Sequence, residues 1–136
     1  MVVQRVITIV IADDFGPFRR FIRLKLVENG FQIVAEARDG LEAVAKVAEF
    51  QPALVLLDIS MPKLNGIEAA AQIRSIAPKS RVLFVSLNTD PEIIRAALQD
   101  GAAGYIRKSA LDRELVPAIE TALGGNRFVS GDLHLT

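Results

Sequence analysis

The sequence contains no cysteine and no tryptophan, and it has only one histidine and one tyrosine among 136 residues. Without cysteine, disulfides and thiolate metal sites are excluded. Neither sign of charge is in excess, because sixteen Lys and Arg side chains balance sixteen Asp and Glu side chains. A neutral chain lacks the overall field that attracts nucleic acid or an anionic membrane, so any DNA binding would need a region outside this chain.

Long apolar runs are also missing, although 51% of the residues are hydrophobic and the mean hydropathy is +0.32. A membrane helix requires about 20 consecutive apolar residues, and no segment approaches that length. The first residues lack the basic and then apolar pattern of a signal peptide. We therefore expect a cytoplasmic protein without a membrane partner, whose apolar residues form the core of one domain.

Short apolar runs alternate with segments of helical spacing along the chain. The runs cover residues 6–12, 31–37, 53–57, 81–85 and 103–106. The first is continuous and β-branched, which is typical of a strand covered on both faces. Strict alternation with helices predicts parallel strands joined by right-handed crossovers. The predicted fold class is therefore α/β, a doubly wound parallel sheet of five strands with five helices in three layers.

Proline and Asx residues mark the predicted helix ends. Asp90 is expected to cap the fourth helix, with Pro91 in its first turn. An interior proline costs about 3 kcal/mol or a kink, so we expect the last helix to bend at Pro117 or to start later than Ser109. Residues 125–136 lack the pattern for a further layer and are predicted to be a tail or the start of a linker. The second helix is expected to bury an apolar stripe of Leu41, Val44, Ala45 and Ala48.

Polar side chains follow four of the five predicted strands. In a parallel sheet these strand ends lie at one edge, where open α/β folds bind ligands. Taken singly, each side chain has an ordinary interpretation, as a helix cap, a turn residue or a solvated amine. Only the whole group predicts a functional site. Its members are Asp13, Asp14, Asp58, Ser86 and Lys108.

Asp58 is the centre of this group, because an isolated carboxylate at the end of a buried strand is expensive to desolvate. If Asp14 lies about 4 Å away, the repulsion is on the order of 4 kcal/mol at an effective dielectric near 20. Protonation of one carboxyl would relieve this repulsion. Because Asp13 is also close, a divalent cation relieves it at lower cost. Oxygen ligands without His or Cys favour Mg²⁺ or Mn²⁺ over zinc. Together with the ammonium of Lys108 and the hydroxyl of Ser86, the group forms a site suited to phosphoryl transfer to Asp58.

These residues resemble the receiver domain of bacterial two-component response regulators. The resemblance implies a flavodoxin-like fold with strand order 2-1-3-4-5 and a receiver domain at residues 1–124. It also implies that Asp58 accepts a phosphoryl group from a sensor histidine kinase or a phosphotransfer protein. Mg²⁺ would be held by Asp14, Asp58, the Ser60 backbone carbonyl and, through water, Asp13. The motifs that carry the resemblance are Asp13-Asp14, the box 58–62 with Gly66, Ser86, and the run 104–108.

The resemblance also implies a switch formed by Ser86 and Tyr105. In that family the hydroxyl moves toward the phosphoryl group and the aromatic side chain turns inward, a population shift between two packings. The change is read on the face of the fourth helix, fifth strand and fifth helix, and the phosphorylated form can be a homodimer. Without the resemblance, Tyr105 would be interpreted as a half-buried edge aromatic. Ser60 and Asn88 occupy positions that, in the family that the chain resembles, influence hydrolysis of the acyl phosphate.

The end of the chain carries a second resemblance. Residues 124–130 are similar to the segment that follows the receiver in regulators with a LuxR-type helix-turn-helix, which bind DNA as dimers. This favours the receiver of a transcription factor over a free-standing receiver, with DNA bound only through a domain absent from this chain. The alternative is a disordered end, on which His134 would be an exposed residue.

Two other functions share the predicted architecture. Hydrolases that resemble haloacid dehalogenases also place a nucleophilic aspartate after a strand beside Mg²⁺, but they carry a second aspartate two residues later, where this chain has Ser60. Flavodoxin-like flavin binders need a phosphate loop rich in Ser, Thr and Gly after the first strand, which is missing here. We therefore predict a phosphorylation-controlled switch domain and not a turnover enzyme.

Overall fold

The computed structural model describes residues 6–131, in which strands and helices alternate as predicted. A 3₁₀ turn, Lys108–Ala110, precedes the last helix. The strands are β1 (Thr8–Ala12), β2 (Gln32–Ala37), β3 (Leu54–Leu57), β4 (Arg81–Ser86), β5 (Gly104–Arg107) and β6 (Phe128–Val129). The helices are α1 (Gly16–Glu28), α2 (Gly40–Phe50), α3 (Gly66–Ile76), α4 (Pro91–Leu98) and α5 (Leu111–Leu123).

The strands form one parallel sheet in the order β2-β1-β3-β4-β5-β6. The first five follow the predicted order 2-1-3-4-5, so the flavodoxin-like α/β fold is confirmed. The sixth strand was not predicted. Within the supposed tail, Phe128 pairs with Gly104 and Val129 pairs with Tyr105. A strand of two residues is too short to show alternation in the sequence, which is why the prediction missed it.

Helices cover both faces of the sheet and give three layers. The face of α2, α3 and α4 buries Val55 and Leu57, whereas the face of α1 and α5 buries Leu54 and Leu56. This division follows from the strand geometry, since successive side chains point to opposite faces. None of the helices in residues 6–131 is long and apolar enough to cross a membrane.

Several helix ends agree with the sequence analysis. The Asp90 side chain caps α4 by accepting a hydrogen bond from the Glu92 N–H at 2.9 Å, and Pro91 lies in the first turn. Helix α5 begins at Leu111, later than Ser109 as expected, and contains Pro117. Delaying the start moves the proline toward the first turns, but its missing N–H still interrupts the helix hydrogen bonds.

The buried face of α2 differs from the predicted stripe. Gly40 at the start of the helix fixes the rotation, because a Cβ there would lie 1.9 Å from the Leu64 carbonyl oxygen. The helix therefore begins directly against the backbone of the loop before α3, a contact that spacing within α2 cannot indicate. Of the predicted stripe, Val44 is partly buried, and the other three members are exposed, namely Leu41, Ala45 and Ala48. The residues buried instead are Gly40, Ala43 and Val47.

Candidate functional site

The carboxyl ends of β1, β3 and β5 bring three carboxylates and one ammonium together. Asp13, Asp14 and Asp58 each offer one carboxylate oxygen, and these oxygens lie within 4.8 Å of one another. Asp13 and Asp58 are buried, whereas Asp14 is exposed. The Nζ atom of Lys108 lies 2.7 Å from Asp13 Oδ2 and 3.3 Å from Asp58 Oδ2. Four of the residues predicted from the sequence therefore meet at one edge of the sheet.

Asp58 is fixed by its neighbours on both carboxylate oxygens. Its Oδ1 accepts a hydrogen bond from the Ile59 N–H at 2.8 Å, and its Oδ2 accepts one from Lys108 at 3.3 Å. Burial raises the pKa of the Asp58 carboxyl; the Lys108 ammonium lowers that pKa in part, and the charge of Asp13 raises it further. The charged carboxylate is therefore not fully compensated by Lys108, and additional positive charge at this position would stabilise it.

The loop between β3 and α3 is closed against Asp58. The Gly66 N–H donates to the Ile59 carbonyl at 2.8 Å, and a Cβ at position 66 would lie 2.0 Å from the Asp58 carbonyl oxygen. This close approach is the physical reason for the glycine in the motif. Asn65 caps α3 in a reciprocal capping box with Glu68. Ser60 in this loop is exposed, and its role as a carbonyl ligand stays a prediction.

The two carboxylate oxygens of Asp13 have different partners. Its Oδ1 accepts a hydrogen bond from the Phe15 N–H at 2.8 Å. Its Oδ2 lies close to Lys108 Nζ, but this ion pair lacks hydrogen-bond geometry, and the buried oxygen has no hydrogen-bond partner among residues 6–131. Two buried carboxylates, those of Asp13 and Asp58, share this one ammonium, so a further cation would stabilise the group. The oxygen-only ligand set, open to solvent at Asp14, fits a hard divalent cation such as Mg²⁺.

Lys108 is enclosed, so its interpretation as a solvated surface amine is wrong. Besides the two carboxylates, its Nζ lies 4.3 Å from the centroid of the Phe18 ring of α1. An ammonium over an aromatic face is attracted by the ring quadrupole. The sequence analysis did not identify Phe18 as part of the site, since its spacing marks only an apolar position of the first helix. No pattern in the sequence indicates that Phe18 lies against Lys108.

Ser86 and Tyr105 meet at Asn88, in the loop between β4 and α4. The buried Ser86 Oγ accepts a hydrogen bond from the Asn88 N–H at 3.1 Å, and the Tyr105 hydroxyl donates to the Asn88 carbonyl at 2.7 Å. Tyr105 is 0% exposed, so its interpretation as a half-buried edge aromatic is wrong. Burial raises the pKa of the Tyr105 hydroxyl; a hydrogen bond with Ser86 opposes this, and the charge of Asp58 adds to it.

Comparison with known proteins gives one consistent family. The family model for the response regulator receiver domain matches residues 9–120. The chain is 38% identical over 130 residues to the oxygen regulatory protein NreC of Staphylococcus aureus, a match that covers 94% of this chain and 59% of NreC. The chain thus spans less than two thirds of the length of this relative.

Solved structures agree with that result. The signal receiver domain of NarL from Mycobacterium tuberculosis is similar with a TM-score of 0.85 and 33% identity, covering 90% of this chain and all of that one. A LuxR-family two-component response regulator from Aurantimonas sp. SI85-9A1 is similar with a TM-score of 0.88 and 35% identity, covering 95% and 93% of the two chains. The chain therefore belongs to the receiver domain family of response regulators, and its receiver is of the type found in LuxR-family members.

Proposed function

We propose that this chain is a phosphorylation-controlled signalling switch, not a turnover enzyme, and that Asp58 is its phosphoacceptor. The single observation that carries the proposal is the buried carboxylate of Asp58, with Lys108 Nζ at 3.3 Å and further carboxylates of Asp13 and Asp14 beside it. Membership of the receiver family supports the same assignment. The phosphodonor is the phosphohistidine of a sensor histidine kinase or of a phosphotransfer protein.

The transfer requires little from the protein beyond position and charge. Asp58 Oδ1 is held by the Ile59 N–H, so Oδ2, the oxygen beside Lys108, attacks phosphorus. The new O–P bond forms as the N–P bond of the donor breaks, and the imidazole nitrogen keeps the electron pair. An ionised carboxylate is already a nucleophile, so no separate base is needed. The Lys108 ammonium neutralises charge on the phosphoryl oxygens.

The acidic residues are proposed to hold Mg²⁺, for which Mn²⁺ can substitute. Asp13, Asp14 and Asp58 would supply carboxylate oxygens, and the Ser60 backbone carbonyl would complete the protein ligands. When bound, the cation would neutralise charge on the oxygens of the transferring group. The three carboxylates and the absence of nitrogen or sulfur ligands in the group support this choice of metal.

We propose that the signal passes from Ser86 and Tyr105 to the face formed by α4, β5 and α5. The shared contacts of the two side chains with Asn88 support this route, because the loop of Asn88 leads directly into α4. The output is DNA binding through a C-terminal domain outside this chain, with a homodimer as the phosphorylated form. Similarity to a LuxR-family response regulator supports this output, and we propose transcription control in the cytoplasm as the role of the whole protein.

Treatment with acetyl phosphate and Mg²⁺, followed by intact mass measurement, tests the proposal. The wild type is expected to gain one phosphoryl group that is lost in acid, and the gain should require the metal. Asp58→Asn should gain none, whereas Asp100→Asn, at an exposed aspartate beyond α4, should behave as the wild type. An unchanged mass of the wild type would contradict the proposal. Rapid turnover of a phosphate monoester would instead favour an aspartyl hydrolase.

A further inference from the structure

The chain beyond α5 returns to the sheet and is attached to it by backbone hydrogen bonds. We name residues 126–131 the C-terminal segment; it contains β6. The Phe128 N–H donates to the Ala103 carbonyl at 3.0 Å, and the Ser130 N–H donates to the Tyr105 carbonyl at 3.0 Å. The segment therefore pairs with the strand that carries the proposed switch residue.

Arg127 connects the C-terminal segment to the end of α4. Its Nη2 donates to the carbonyl of Leu98, the last residue of α4, at 2.7 Å, and its Nε donates to the Ala102 carbonyl at 3.2 Å. The last carbonyls of a helix have no partner within the helix, and a guanidinium there satisfies them and opposes the helix dipole. Helix α4 is thus held by Arg127 at its C-terminus, while the loop before it is held by the Tyr105 hydroxyl on Asn88.

Ser130 connects the same segment to β5 and α5. Its side chain is 1% exposed. The hydroxyl oxygen accepts a hydrogen bond from the Arg107 N–H at 2.9 Å, and the hydroxyl donates to Glu114 Oε1 at 2.5 Å. A buried hydroxyl with both donor and acceptor satisfied fixes the position of the chain around it. All three elements of the proposed output face, α4, β5 and α5, are therefore tied to the C-terminal segment.

The packing around β6 is complementary on both sides. Val129 is the register partner of Tyr105, and both belong to the apolar cluster on the face of α2, α3 and α4. Opposite the Phe128 carbonyl, β5 has Gly104, where a Cβ would lie 2.0 Å from that oxygen. A side chain at position 104 would therefore keep the segment away. Val129 thus lies at the edge of the sheet beside Tyr105, which has no exposed surface.

We propose that Arg127 and Ser130 are positioning residues of the switch, which dock the C-terminal segment along β5 and so hold Tyr105 in its buried orientation. The inference rests on the proposed switch role of Tyr105. Docking of the segment and phosphorylation of Asp58 then favour the same orientation of Tyr105. Because such coupling is reciprocal, loss of docking weakens phosphorylation, and phosphorylation strengthens docking.

The chain offers a direct optical test, because Tyr105 is the only tyrosine and there is no tryptophan. Acrylamide quenching of the tyrosine emission therefore measures the exposure of Tyr105 alone. Arg127→Ala and Ser130→Ala are expected to raise the quenching constant at least twofold, and Arg127→Lys, which keeps one donor, should give a smaller rise. Arg113→Ala, at an exposed arginine of α5 outside these contacts, is the control and should leave quenching unchanged.

Hydrogen exchange of the Phe128 and Ser130 amides reports in parallel whether the segment is docked. Both amides should exchange at least tenfold faster in the double variant Arg127→Ala/Ser130→Ala. Acetyl phosphate with Mg²⁺ should then return the quenching of Arg127→Ala toward the wild-type value, an effect that a merely structural role would not produce. The phosphorylated fraction of this variant at limiting acetyl phosphate should be about threefold below that of the wild type.

Several outcomes would overturn the inference. Unchanged amide exchange in the double variant would mean that these residues do not dock the segment. Faster exchange with wild-type quenching would mean that docking does not hold Tyr105. Phosphorylation that adds mass without changing the quenching of Arg127→Ala would refute the coupling. If no phosphoryl group is added to any variant, the proposed function fails, and the quenching and exchange comparisons still decide whether the segment positions Tyr105.

Discussion

The two faces of the sheet carry different parts of the site: charged side chains lie toward one face, and the tyrosine hydroxyl group belongs to the other. Along β3, Leu56 faces α1 and α5. Because side chains alternate between the two faces, Asp58, two residues later, points toward the same face. Lys108 lies on this side too, against Phe18 of α1. Tyr105 belongs to the opposite cluster, with α2, α3 and α4. Successive side chains of a strand point to opposite faces, so moving by one residue along a strand changes the face. The groups proposed to react with phosphate therefore lie toward one face, and the groups proposed to respond to it lie toward the other.

The two faces also differ in the kinds of side chain that they bury. On the face of α1 and α5 the fully buried residues are aliphatic, such as Leu115, and the phenylalanines packed against them are only partly buried. The other face contains Tyr105, whose polar hydroxyl is buried, and α4, which has eight residues and is the shortest of the α-helices. A short helix buries little surface and can shift at low cost. We therefore expect the face of α1 and α5 to be the more rigid one and the face of α4 to be the softer one, through which the proposed signal would pass.

The largest expected effects come from matched truncations on the two faces. Leu115 on α5 and Ile94 on α4 are both 0% exposed. Leu115→Ala and Ile94→Ala should each lower the free energy of unfolding by about 2–5 kcal/mol, since both leave a cavity. Urea unfolding followed by circular dichroism measures this loss. Only Ile94→Ala should also raise the quenching of Tyr105 emission, because Ile94 shares a cluster with the ring.

The control for that pair is internal, as each variant serves as the reference for the other. Equal quenching in Leu115→Ala and Ile94→Ala would show that the two faces respond as one unit. That result would remove the distinction between a rigid and a softer face, even if both variants lose the expected stability.

A smaller effect is expected from Tyr105→Phe, which removes one hydroxyl from the softer face. The Asn88 carbonyl loses its 2.7 Å hydrogen bond, and the free energy of unfolding should fall by about 1–2 kcal/mol. At saturating acetyl phosphate the variant should nevertheless reach the phosphorylated fraction of the wild type, because Asp58 and Lys108, the groups proposed to react, are untouched. Intact mass and urea unfolding measure the two quantities. A variant that no longer accepted phosphate would contradict the separation of the two groups.

Much of the site could be predicted from parallel topology together with the strand order that the family resemblance implies. Once the strands alternate with helices, Asp13, Asp58 and Lys108 lie at the same edge of the sheet, and the strand order decides how close they are. The rotation of α2 could not be predicted, since it depends on Gly40 meeting the Leu64 backbone. Contacts between segments distant in sequence leave no local pattern.

The burial of Tyr105 is the clearest case of such a contact. Its position on the fifth strand was predicted, but its exposure depends on whether another strand follows at the edge of the sheet. Val129 provides that cover from a strand of only two residues, within a stretch predicted to be a tail or the start of a linker. The same holds for Phe18 over Lys108, where helical spacing predicts an apolar position and not the ammonium that it contacts.

The smallest expected effect concerns the charge of Asp58 itself, measured without metal in EDTA. Burial raises the pKa of Asp58 above the value of about 3.9 in an unfolded chain. Its contribution to stability is therefore complete below that value and is lost as the pH rises through the folded-state pKa. Asp58→Asn should accordingly have a higher free energy of unfolding than the wild type at about pH 7, and the difference should shrink toward pH 4. Urea unfolding across this range measures it.

The matched control is the same substitution at Asp112 on α5, where the sign is reversed. A hydrogen bond from Lys25 lowers the pKa of the exposed Asp112 carboxyl, so its contribution is present at neutral pH and is lost as the pH falls through the folded-state pKa. Asp112→Asn should therefore not stabilise the protein at pH 7. If Asp58→Asn were also without benefit at pH 7, Lys108 would compensate the buried charge completely, and the metal-free site would need no further cation.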